Sequence, residues 1–298
     1  MHYRVMARLL RLLDRQPSDR VLSVAMFRKM PLSVNLGHPP RALSIRLVGY
    51  VTVTAAVLML ICAAHASGVG GASVVQLMHA KYANAWYDTM QFTQKSTTFE
   101  PDGSSKAEMW YERGLLPGKL RIDIGPAEDR NAMIMTDGTL YTFQRGALAS
   151  TRALRSLALV LGFDVYVQSP DVTLTQLKQE GIDIALFHND VWQGKAVHVV
   201  GALKGDLRSK QFWVETDRLL CVRVIMPDSR SPDALADIRF LDYRQQTRGL
   251  IAARIEVHHG DRLVFSEDYT NIETGVPLDP TIFNPAHFVP ANPLSLTP

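Results

Sequence analysis

The sequence predicts a mainly β protein with a few α-helices: a curled antiparallel sheet that short helices cover or plug. Three observations carry that reading. Short runs of alternating apolar and polar residues recur along much of the 298-residue chain, the period of a strand with one buried face. Turn signals such as Pro101-Asp102-Gly103, Asp137-Gly138 and Gly260-Asp261 punctuate the runs. The runs number roughly eleven or twelve, more than an open sheet usually holds without curling.

The elements follow in order. "ASVVQLMHAKYANAW", from Ala72, places Val74, Leu77, Met78 and Tyr82 on one helical face. The strand "TMQFTQKSTTF" leads into the Pro101-Asp102-Gly103 turn. "MWYERGLLPGKLRIDI", residues 109–124, reads as two strands joined by Leu-Leu-Pro-Gly. In its first strand Met109, Tyr111 and Arg113 share one face, which reads as the mostly apolar one, and Glu108, Trp110 and Glu112 share the other. "NAMIMTDGTLYTF" holds Asp137-Gly138 between two apolar runs, a strong hairpin signature.

Two helical candidates come next. "STRALRSLALVLG" has Leu154, Leu157, Ala158 and Leu161 at helical spacing, Ser150 or Thr151 as cap and Gly162 as stop. "TLTQLKQEG" is shorter. Strands resume with "GIDIALFHN", "KAVHVVGAL", "KQFWVET", "RLLCVRVIM", "LADIRFLDYR" and "LIAARIEVHHGDRLVFSEDY". Ile251, Ala253, Ile255 and Val257 fall on one face of the last run, and Ala252, Arg254, Glu256 and His258 on the other. That is the pattern of a half-buried antiparallel strand. A sheet of such strands has an apolar concave face that helices must cover. Residues 67–290 are expected to form one domain and 291–298 a flexible, Pro-rich tail.

Residues 1–66 are different in kind. They hold 9 of the 32 basic and 2 of the 29 acidic residues, so the remainder carries a net charge of −4. Arg41 and Arg46 precede an apolar core at 47–64, which ends in Ala64-His65-Ala66. That matches a secretory signal peptide, with cleavage expected after Ala66, so residues from 67 onward are expected to lie outside the cytoplasmic membrane. The apolar core also approaches the roughly 18–20 residues that span a bilayer, so retention as an inner-membrane anchor is the alternative. The segment before it is longer than a usual basic leader, and a start at Met26 or Met30 would shorten it.

The body shows no basic patch with aromatic spacing, which argues against a nucleic-acid partner. It contains no phosphate-cradling glycine loop, no paired-cysteine or His-Glu-x-x-His zinc signature and no Gly-x-Ser-x-Gly elbow. Once the leader is removed Cys221 is alone, and it reads as a small buried hydrophobe. His258 and His259, adjacent on a strand, point to opposite faces and cannot readily share one metal ion. His258 reads as solvated, and His198 as a strand residue with a hydrogen-bond partner. Asp123, Asp237 and Glu256 read as solvated carboxylates on outward faces. No nucleophile and base stand out, so no enzyme, cofactor or metal is expected.

The helix leading into "FTQK", the strand ending in Arg113 and the hairpin "MTDGTLYTF" resemble the LolA/LolB-like superfamily of outer-membrane lipoprotein-sorting proteins. "FLDYRQQTRGLIAARIEV" and "VPLDPTIFNP" are similar to the broader group. The resemblance implies an incomplete, curled β-barrel with a helical lid over an apolar cavity. The partners it implies are lipoprotein acyl chains or another lipid, and an inner- or outer-membrane protein. Arg113 occupies the place of an arginine that latches the lid, its stem along Met109 and Tyr111 and its head on lid carbonyls. An arginine at the rim that pairs with a surface carboxylate, or is simply solvated, is the competing reading.

Met90, Phe92, Met109 and Tyr111, with Met133, Met135, Tyr141 and Phe143, are the candidate cavity wall. Methionine walls adapt to flexible guests, and each buried methylene is worth about 0.8 kcal/mol. The same residues would serve a solid core equally well. Two functions stand: a periplasmic carrier, or a sensor of the same fold that detects lipoproteins and signals to a membrane partner. A retained anchor would favour the sensor. A hydrolase ranks last.

Overall fold

Thirteen strands among the described residues form one antiparallel sheet that does not close into a barrel. The structure, a computed structural model, describes residues 70–228 and 231–289, without the side chains of 231–234. The expected leader or anchor and the expected tail lie outside the described residues. The first meander comprises β1 Thr89–Phe99, β2 Ser105–Leu115, β3 Lys119–Ile124, β4 Asn131–Thr136, β5 Thr139–Gln144 and β6 Ala147–Ala153. The second comprises β7 Phe187–Trp192, β8 Lys195–Val200, β9 Gln211–Glu215, β10 Cys221–Asp228, β11 Ser231–Gln245, β12 Leu250–His259 and β13 Arg262–Thr274. Pairing of β1 with β13 joins the meanders and leaves β6 and β7 as the two edges.

Local chemistry explains the hairpins. Asp137 and Gly138 have φ of 51° and 69°, and a two-residue turn with both residues left-handed matches the twist of the flanking strands. Gly260, at φ 61°, turns β12 into β13.

The connection between the edge strands carries two helices, α2 Leu157–Gly162 and α3 Pro170–Gln179, while α1 Gly71–Tyr82 precedes β1. One face of the sheet, called the inner face below, packs against them. Phe212, Val224, Ile238, Val257 and Phe265 form a row across it in register. They share the main core with Val74, Val75 and Met78 of α1 and Leu157, Val160 and Leu161 of α2. Close approach is built in: a Cβ at Gly162 would sit 2.9 Å from Phe240 Cε1, and one at Gly71 would collide with the Ile184 carbonyl.

The outer face holds two smaller clusters. Ala132, Ile134 and Phe143 pack with Tyr141 and with Phe288 of the C-terminal segment. Val197, Val199, Trp213, Val222 and Ile225 pack with Trp192.

Several expectations are corrected. The described strands number thirteen, because Ala147–Ala153 is a strand and not the start of a helix. Ser150 and Thr151 lie in β6, and the cap of α2 is Ser156, whose hydroxyl accepts from Leu159 N–H at 3.3 Å. Leu77 is 41% exposed, because α1 turns Val74, Val75, Met78 and Tyr82 inward. In β2 the inner face is Trp110, Glu112 and Gly114, while Met109 is 40% exposed. A buried acid and a glycine hide that face from an apolar pattern.

Candidate functional site

The inner face divides into an apolar and a polar region, set by which residues alternate inward on β2, β1 and β13. In register, Phe92 of β1 lies opposite Glu112, Gln94 between Trp110 and Tyr269, and Ser96 between Glu108 and Glu267. These side chains make a polar stripe. Tyr269 Oη donates to Glu267 Oε2 at 2.6 Å, Gln94 Nε2 donates to Ser96 Oγ at 2.7 Å, and Trp110 Nε1 donates to Glu108 Oε2 at 3.2 Å. The Phe92 ring stacks on Tyr269 with centroids 4.1 Å apart. Gln94 is fully buried and its Oε1 has no hydrogen-bond partner.

The acids of this stripe are strongly perturbed. Burial pushes the Glu112 carboxyl well above the usual range, and the charge of Glu267 pushes it further. Burial raises Glu267 to about 7, against the hydrogen bonds from Tyr269 and Gln94. Among the described residues neither acid has a basic partner.

The outer face is the opposite case. Asp237 accepts from Arg223 at 2.8 Å and from Arg239 at 2.8 Å. Burial pushes Asp237 up, but those two arginines outweigh it and hold the carboxyl below its ordinary value. Glu215 lies between Lys195 and Arg218. Glu256 pairs with Arg254 at 2.8 Å and with His258 at 2.9 Å. Asp123, Asp237 and Glu256 are therefore paired ions rather than solvated carboxylates, and His258 is buried rather than solvated.

The candidate wall residues separate by strand alternation. Met90, Phe92, Met133 and Met135 turn to the main core beneath the helices. Met109, Tyr111, Tyr141 and Phe143 turn to the outer face, where Phe143 stacks on Phe288 at 4.0 Å. Arg113 also turns outward, and its Nη1 donates to Asp123 Oδ2 at 3.0 Å. Opposite it in register stands Arg121, 1% exposed. Arg121 donates to Asp123 at 2.8 Å and to the carbonyls of Ile282 at 3.1 Å and Val289 at 2.7 Å. Its guanidinium lies 5.1 Å from the Phe288 ring centroid.

Sequence reasoning passed over Arg121, Glu112 and Glu267. For Arg121 a signal existed: in "KLRIDI" an arginine and an aspartate stand two apart on one strand face. For the two glutamates there was none, because each alternates with its neighbours as a solvated residue would.

Beneath the helices, Trp86 stacks on Tyr166 at 4.0 Å and on Tyr87 at 5.2 Å. Asp164, just after α2, is buried and accepts from the Gly118 N–H at 3.0 Å. Burial raises it to about 7, against that hydrogen bond. Cys221 is fully buried, which pushes its thiol up to about 12. His198 Nδ1 lies 2.8 Å from Asn189 Oδ1. A cavity of about 100 Å³ opens beside Trp192, Lys195, Arg218 and Tyr243. No group of three or more metal-ligating side chains gathers among the described residues.

No protein-family profile matches the chain, and no curated protein matches it in sequence. Among solved structures the chain is similar to an outer membrane lipoprotein-sorting protein domain from Vibrio parahaemolyticus. The TM-score is 0.50 at 12% identity, over 72% of this chain and 96% of that one. It is also similar to a DUF1329 family protein from Desulfovibrio piger (TM-score 0.48, 14% identity, 72% and 96% covered). A LolA superfamily protein from Nitrosomonas europaea gives a TM-score of 0.46 at 15% identity, with 72% and 98% covered. The architecture is the incomplete curled sheet of the lipoprotein-sorting-like fold. Likeness at this identity defines fold alone. Among the described residues no helix is long and apolar enough to cross a membrane.

Proposed function

We propose that this protein is a periplasmic carrier that holds an acyl chain of a lipoprotein or another lipid on the inner face of its sheet, with α1–α3 as the lid. One observation carries the reading: among the described residues the inner face of an unclosed sheet packs against short helices, two of them on a single connection, and not against a second sheet. Such a cover can lift without breaking strand pairs. The inward Met90, Met133 and Met135 supply a wall that adapts to a flexible chain. The likeness in fold to the Vibrio parahaemolyticus lipoprotein-sorting domain supports this reading.

The test is extraction of the purified full chain with organic solvent and mass spectrometry of what co-purifies, followed by titration with a fluorescent fatty-acyl probe. Bound lipid and saturable probe uptake are expected. Met135→Lys, at the partly exposed margin of the core, should weaken the probe about tenfold, because the lysine places a charge on the wall. Absence of both lipid and probe binding would overturn the reading. The apolar stretch at 47–64 supports a second reading, a membrane-anchored sensor with the same binding face. Sequencing the mature N-terminus separates the two: a start at Ser67 marks a shuttle, and a retained segment marks an anchored sensor.

A further inference from the structure

The polar stripe is rich in acceptors and poor in donors. Glu112, Glu267 and Gln94 bring five carboxylate and amide oxygens to the inner face. Tyr269 satisfies one of the Glu267 oxygens. Gln94 lies at the Glu267 carboxylate, to which its amide also donates, yet its own Oε1 has no partner. Glu112 is 5% exposed and receives no hydrogen bond from a described residue. A buried acceptor without a donor costs about 1–3 kcal/mol, and a buried charge costs more. Elsewhere in the fold this problem is solved with arginine, as at Asp123 and Asp237. Lys106 stands on the same face one register row beyond Glu267 and pairs with neither acid.

We infer that the cluster of Glu112, Glu267 and Gln94 is the seat of a primary ammonium group carried by an amphiphilic lipid whose chain lies against the inward methionines. An ammonium has three N–H donors and no acceptor, which complements two acids and an amide oxygen. Its charge supplies the cation that the described residues lack. Phe92 and Trp110 stand beside the cluster in register. Glu267 is partly accessible, so the seat has an approach from its β13 side. The other titratable groups facing it are Glu108, Lys106 and the two tyrosines Tyr87 and Tyr269, both pushed further up and neutral at physiological pH.

This inference rests on the carrier reading, and the experiment separates the two. Dodecylamine, dodecanol and dodecanoate are titrated calorimetrically into the full chain near neutral pH in two buffers of different ionisation enthalpy. Dodecylamine should bind at least about tenfold more tightly than dodecanol, since charge-assisted hydrogen bonds are about twice as strong as neutral ones. Its binding should release protons from the acid pair, whereas dodecanol should release none. In Glu267→Gln the amine-to-alcohol preference should fall to near one. Equal affinity of amine and alcohol in the natural chain would overturn the ammonium seat and leave the carrier standing. An amine preference without proton release would also overturn it, because the cation would then sit elsewhere. Failure of all three ligands to bind would remove the carrier reading and the seat with it.

Discussion

Glu267 and Asp164 give the fold a pH response that runs against the usual one. Both carboxyls are raised to about 7 by burial, from ordinary values of 4.5 and 3.8. A raised carboxyl binds its proton more tightly in the folded state than in the unfolded one. Its contribution is therefore fully present below the unfolded value and is lost as pH rises through about 7. At about 1.4 kcal/mol per unit, and after allowance for solvent screening, each group contributes about 2 kcal/mol across that window. The depressed acids, Asp237, Glu215 and Glu256, have the opposite sign, but their window lies below the ordinary carboxylate range. Thermal unfolding followed by circular dichroism should therefore give a melting temperature that falls between about pH 5 and pH 8. The double variant Glu267→Gln, Asp164→Asn should make that fall shallower, with the raised Glu112 carboxyl supplying what remains. A flat profile in the natural chain would contradict the raised values. None of this was legible from sequence, since alternation reports which way a side chain points but not whether that face is covered. Cys221 was legible, because a lone thiol in an apolar strand has few other roles.

Arg121 organises an element rather than a site. Its guanidinium ties β3 to the segment that ends the described chain, through two backbone carbonyls and the Phe288 ring. Arg121→Met removes those bonds and leaves Asp123 with Arg113 alone. Destabilisation of about 2–4 kcal/mol is expected, because a nearly buried charge network loses a member. Amide exchange in residues 280–289 should accelerate more than exchange in the strands. Arg113→Leu should cost far less, since Asp123 keeps Arg121 and the carbonyl contacts remain. Comparable losses in both variants, or no change in exchange at 280–289, would show that Arg121 is not the fastening. The elements themselves were largely readable. β1, β4, β5 and β12 declare themselves by alternation and by turns that only glycine or a left-handed aspartate suits. β6 did not, because an edge strand exposed on both faces has no alternation to detect. Its "STRALRS" sequence then borrowed the helical spacing of α2. The facing of β2 was misjudged for a related reason: the wall expected at Met109 and Tyr111 looks outward, and the inward side carries an acid.

At the scale of the molecule, the sheet is held together by one long-range pairing, β1 with β13, and the helices are seated on it by glycine. The curled sheet was foreseeable from strand count, since so many one-sided strands cannot lie flat. The order of the strands was not, because nothing in the sequence of β1 or β13 names its partner across the chain. Gly162 is where α2 comes down on Phe240, with no room for a methyl group between them. On the carrier reading a ligand reaches the inner face only when this contact opens. Gly162→Ala forces the helix to shift or the Phe240 ring to turn, an overpacking cost of about 1–3 kcal/mol. A loosened lid should both exchange faster at Leu157–Gly162 and let a bound acyl probe dissociate several-fold faster, with stopped-flow fluorescence as the measurement. The two readouts divide the possibilities. Faster exchange with faster dissociation identifies α2 as the gate. Faster exchange with unchanged dissociation means that the chain enters elsewhere, beneath α1 or along β13, and that α2 belongs to the permanent core.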